Sequence, residues 1–227
     1  MFTSQLTQPI GEETRVHRPT NHHLTRASIV YVSAWLVGLA LKPAIVSSSD
    51  AADVIVRSYL DDRSTSIAQV LVVHGVAGIA ALAFSVGLAG FAESSQQPAV
   101  ARWGRVAGFV VCLVSLAQAA IGVSMISTAG MAAPSTVRQL LIGVERLDSV
   151  KLVALAVVCV VGMVLARCGL LARWTGRLAA GATACLLLAA LALSNIASVL
   201  SAASVPALIL LLVWVGAVPH AIRRTGA

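Results

Sequence analysis

Residues 69–92 read QVLVVHGVAGIAALAFSVGLAGFA. The run exceeds the ~20 apolar residues a helix needs to cross a bilayer core. It holds one ionisable side chain, His74. Steps of three and four from His74 give Ala77, Gly78, Ala81, Ser85 and Ala89, a stripe of small residues on one helix face. Such stripes mark close helix approach in membranes. Val72, Val73, Val76, Ile79, Leu82 and Phe84 occupy the other faces. His74 is therefore expected to point into a bundle, where intramembrane ionisable groups reside.

The rest of the chain fits that setting. Of 227 residues, 58% are hydrophobic, 11% charged and 4% aromatic. A soluble domain carries about 25% charged residues. Six runs are long enough to span: 27–46, 66–92, 105–127, 150–170, 174–197 and 200–222. The expected fold is an all-α, polytopic transmembrane bundle of six spans. Residues 1–26 read as a polar, disordered tail, and 223–227 as a short C-terminal tail.

Orientation follows the basic residues of the short connections. Arg15, Arg18 and Arg26, then Arg102 and Arg105, then Arg167, Arg173 and Arg177, and finally Arg223 and Arg224 all fall on one side of a six-span chain. The first outer connection carries Asp50, Asp53, Asp61 and Asp62 against Arg57 and Arg63. Both termini are thus expected in the cytoplasm. The Arg and Ala bias is a compositional association with high-GC bacterial genomes, which places the chain in a bacterial plasma membrane. The net charge of +7 belongs to this topology signal. No basic stripe interleaved with aromatics points to nucleic acid.

In the first outer connection, Ser49 or Asp50 could cap a short helix with Val54, Ile55, Ser58 and Tyr59 on one face. That helix would lie on the membrane or cap the bundle.

Counting at 1.5 Å per residue puts His74 about 12 Å below the outer boundary and Gln118, in the third span, about 10 Å below it. Ser115 and Gly122 share the Gln118 face. Gln69 lies about one turn above His74, and Lys42 closes the first span. Asp148 and Lys151 open the fourth, three apart in ERLDSVKL and able to pair. Asn195 and Ser198 close the fifth. His74, Gln118, Gln69, Asp148, Lys151 and Lys42 are the candidate residues of an outward-facing pocket, with Asp148 and Lys151 as its rim. Two readings stand side by side: a ligand pocket, or hydrogen bonds between His74 and Gln118 that pin helices while Lys42 and Lys151 snorkel to headgroups.

Other chemistry finds no support. HExxH, GxSxG and phosphate-loop motifs are missing. The four cysteines, Cys112, Cys159, Cys168 and Cys185, lack CxxC spacing and read as small hydrophobes. His17, His22 and His23 lack acidic or thiol partners at ligand spacing, so neither a metal nor a cofactor is expected.

The arrangement resembles a group of uncharacterised six- to seven-span membrane proteins common in actinobacteria, known as domain-of-unknown-function families. YVSAWLVGLA, the acidic outer stretch, QVLVVHGVAG and VERLDSVKLVALA carry the resemblance, over most of residues 27–222. It implies a topology and a bundle, and no activity. The expected role is non-enzymatic: handling or sensing a small or lipid-like molecule, or serving as an accessory subunit of a membrane complex. Expected partners are the bilayer, a small apolar ligand, and a second copy or a membrane-complex subunit. The alternative is an intramembrane enzyme on an isoprenoid-like substrate, with Asp148, Glu145 or His74 as general acid. An ion-coupled transporter would instead show broken helices at mid-depth.

Overall fold

A computed structural model of the protein describes residues 22–41, 47–193 and 204–222. Lys42, Asn195, Ser198, most of the N-terminal tail and the C-terminal tail lie outside them. The described chain is helical, with α1 (His22–Leu41), α2 (Ala52–Asp61), α3 (Arg63–Val70), a π turn (Leu71–Val76), α4 (Ala77–Ser94), α5 (Pro98–Thr128), α6 (Pro134–Arg167), α7 (Arg173–Leu193) and α8 (Ser204–Ala221). Among the described residues, six stretches are long and apolar enough to cross a membrane. They are α1, the continuous 32-residue run Arg63–Ser94, α5, α6, α7 and α8. The chain has the fold of a multi-pass helical membrane protein.

Each span packs on the next in sequence, and α1 against α8 closes the ring. The ring is held by small residues. A Cβ added at Gly78 would lie 2.5 Å from Ser115 Cβ, so α4 and α5 approach almost backbone to backbone. Ser28 Oγ donates to the Val215 carbonyl at 2.6 Å, joining α1 to α8. Ala77, Gly78, Ala81, Ser85 and Ala89 are all buried, whereas Val76 and Ile79 are exposed on the lipid side.

Phe84 departs from the expected lipid-facing side. It is buried, edge-to-face on Trp214 with ring centroids 5.7 Å apart. Two boundaries also differ from the sequence reading. Residues 22–26, expected in the tail, are already helical, with Leu24 buried against α4 beside Gly87. The fourth span begins at Pro134, so the charged stretch through Glu145 and Asp148 is helix and not connection. Val137 and Leu141 bury one face of it, while Arg138 and Arg146 face outward.

The short α2 covers one end of the ring. Ile55 and Tyr59 are buried against Ile126, Val137 and Leu141, while Val54 stays exposed. Neither Ser49 nor Asp50 caps it. The N-cap is Ala51, and Asp50 accepts from the Ser47 amide at 2.8 Å.

Candidate functional site

Beneath α2 lies a cavity of about 360 Å³. Trp35 and Gly38 of α1, Tyr59 of α2, and Gln118, Met125 and Asp148 of the long spans are among its lining. Most of the wall is apolar. Three of its polar lining residues, His74, Gln118 and Asp148, meet a buried cation that lies behind them.

That cation is Lys151. It lies midway along the 34-residue α6 and is only 5% exposed. Its Nζ donates to Gln118 Oε1 at 2.9 Å and stands 3.3 Å from His74 Nδ1. It also forms an ion pair with Asp148, one turn earlier. An ammonium has three protons and no lone pair, and here three acceptors meet it. His74 Nδ1 must therefore accept, which leaves the ring proton on Nε2. Gln118 is fixed in the same way: its oxygen faces Lys151 and its Nε2 donates to the Val144 carbonyl at 3.0 Å.

His74 reaches this position from the π turn, whose LVVHGV sequence interrupts the second span. One extra residue in a turn advances helix phase by about 100°. The π turn and the α3 residue before it meet three neighbours. Val70 packs against Gly122 of α5, Val73 fills the space left by Gly38 of α1, and His74 faces Lys151 of α6. A Cβ on Gly38 would collide with the Val73 side chain. π turns of this kind recur at functional sites.

The cavity's upper wall is tied down by Glu145. Its carboxylate accepts from the Ser48 amide at 2.9 Å and from the Ser48 hydroxyl. Arg138 Nε donates to the Ser48 carbonyl at 2.8 Å. Gln69 Nε2 donates to the Gly38 carbonyl at 3.3 Å, joining α3 to α1. Burial, aided by the negative charge of Glu145, pushes the Tyr59 phenol up to about 12.

Of the six candidate residues, the structure brings His74, Gln118, Asp148 and Lys151 into one cluster and sets Gln69 on the cavity wall. Lys42 falls outside the described residues. One placement corrects the sequence reading. Lys151 does not snorkel and does not form a rim; it is buried behind the cavity lining, because α6 extends more than four turns beyond it toward the α2 end. Lys151 Nζ joins the expected pair of His74 and Gln118, reaching both side chains. Sequence reasoning passed over Trp35, Tyr59 and Ser48 as site residues and used Glu145 only as an alternative acid. The one available signal was the spacing of Glu145, Asp148 and Lys151, which puts all three on one face of a helix.

No group of three or more His, Cys, Asp or Glu side chains among the described residues could hold a metal ion. The chain matches no family model, no curated protein and no solved structure.

Proposed function

We propose that this is a bacterial plasma-membrane protein that binds a small, lipid-like molecule in the cavity beneath α2, without chemical conversion. One observation carries the reading: a largely apolar cavity of about 360 Å³ is lined by the polar side chains of His74, Gln118 and Asp148, which the buried Lys151 ties together from behind. That volume lies within the range of small-molecule sites, which combine apolar walls with a few placed polar groups. The apolar wall would hold a hydrocarbon body and the polar side chains a hydrogen-bonding head. Of the candidate acids of an enzymatic reading, Asp148 is engaged by Lys151 and Glu145 by Ser48, which disfavours that alternative. The proposal carries with it the resemblance to uncharacterised actinobacterial multi-pass proteins.

The orientation belongs to the same proposal. Arg102, Arg105, Arg167, Arg173 and Arg177 gather at one end of the bundle, and Asp50, Asp53, Asp61 and Asp62 at the other. The positive-inside rule then puts both termini in the cytoplasm and the cavity toward the outer leaflet.

The test is mass spectrometry of small molecules that co-purify with the detergent-extracted protein, wild type beside His74→Ala. A defined compound kept by the wild type and lost by the variant supports the reading. Identical bulk lipids on both, with the variant merely less stable, reduce His74 to a helix-pinning role and end it.

A further inference from the structure

At the opposite end of the bundle from α2, three arginines converge on a groove between α6 and α7. Arg167 lies in the last turn of α6, Arg173 begins α7, and Arg177 follows one turn later. Together they line a depression of about 430 Å³ whose apolar part is formed by Met163, Ala166 and Ala180. None of the three guanidiniums has an ion-pair partner among the described residues. The one carboxylate at this end among those residues, Glu93, is taken by Arg105.

Arg167 is favoured by the negative end of the α6 dipole, but Arg173 and Arg177 face the positive end of α7, where acidic groups are favoured. The first turn of α7 has no acidic residue. Orientation alone asks for basic residues at this end; it does not ask that three of them share one groove with an apolar floor. Like charges gathered at a helix N-terminus leave a surplus that an anion offsets. Guanidiniums take phosphate oxygens in bidentate pairs, and basic pockets between spans receive phosphate headgroups.

We infer that the α6–α7 groove is a binding site for an anionic phospholipid, with the headgroup phosphate among Arg167, Arg173 and Arg177 and the start of an acyl chain along Met163 and Ala180. The site is separate from the cavity beneath α2 and does not depend on what that cavity binds.

Native mass spectrometry in neutral detergent tests it, with phosphatidylglycerol and phosphatidylcholine of matched chains. The wild type should retain phosphatidylglycerol selectively. R167Q/R173Q/R177Q should lower that affinity on the order of 100-fold, whereas R102Q/R105Q, at the same end, should retain the selectivity. Should the triple variant fail to fold, Ala180→Trp fills the apolar part with the charges kept, and should also displace the lipid. Equal loss in the R102Q/R105Q control means diffuse surface attraction and overturns the site. Retention by the triple variant overturns it too. Soluble pyrophosphate that binds with the same arginine dependence, without lipid selectivity, overturns the lipid assignment in favour of a soluble phosphoanion.

Discussion

Lys151 Nζ lies 2.9 Å from Gln118 Oε1, a contact between the middle of α6 and the C-terminal half of α5 that both side chains make while buried. Around it, His74 and Asp148 complete the coordination of one ammonium. The cavity's polar lining is thus also part of the link among three spans, and a change at Lys151 acts on both.

Removing the cation leaves Asp148 with no countercharge. Asp148 keeps 27% side-chain exposure, so Lys151→Met should cost about 3 kcal/mol, the low end for breaking a buried pair. Thermal unfolding in detergent should show a Tm lower by roughly 10 °C. The double variant Lys151→Met/Asp148→Leu should recover most of the loss, because no charge is then stranded. A single variant as stable as the wild type would show that the pairing adds nothing to the fold.

Close approach at Gly78 makes a second prediction. Gly78→Ala should destabilise by about 1–3 kcal/mol through overpacking, since the new Cβ would meet Ser115 Cβ at 2.5 Å. Ser115→Gly should restore stability in that background, and Ser115→Ala should not, because its Cβ remains. Unfolding curves of the four proteins decide it.

Tyr59 supplies a pH dependence outside the spans. Its phenol is pushed up to about 12, against about 10 in an unfolded chain. Between those values the folded protein holds a proton that the unfolded chain has lost, so its stabilising effect is present below pH 10 and is lost as pH rises through 12. Phenolate absorbance in a Tyr31→Phe background should titrate near pH 12. A midpoint near 10 would show that α2 does not shield the ring.

Cys168 reports the orientation without engineering. It is exposed at the α6–α7 turn, while Cys112 and Cys159 are buried. With both termini in the cytoplasm, a membrane-impermeant maleimide should label it only after cells are permeabilised. A Cys168→Ser control accounts for any labelling of Cys185. Labelling of Cys168 in intact cells would invert the topology.

Six spans were legible because hydrophobic run length is what a bilayer selects. The small-residue stripe below His74 was legible because period and residue size together define a packing face. The entry of α6 was not. Its first turns carry Arg138, Glu145, Arg146 and Asp148, which lie before the expected start of the span at 150, yet they are helical because Val137 and Leu141 bury one face under α2. Lys151 therefore seemed to lie at a boundary when it is midway along a helix. The π turn was equally hidden, since LVVHGV carries no residue that demands it. Its phase shift rests on three neighbours, Gly38, Gly122 and Lys151, drawn from distant parts of the chain. Phe84 was misassigned because its partner, Trp214, lies in the last span.

The central claim is that a molecule occupies the cavity above the Lys151 cluster. It is tested most directly by filling that cavity. Gln69→Trp adds bulk on its wall, and Ile79→Trp, on the lipid side of the same span and 56% exposed, serves as control. Compounds extracted from the three purified proteins are then compared by mass spectrometry. The account predicts a defined compound in the wild type and in Ile79→Trp, and its loss in Gln69→Trp. The same compounds in all three proteins would contradict it.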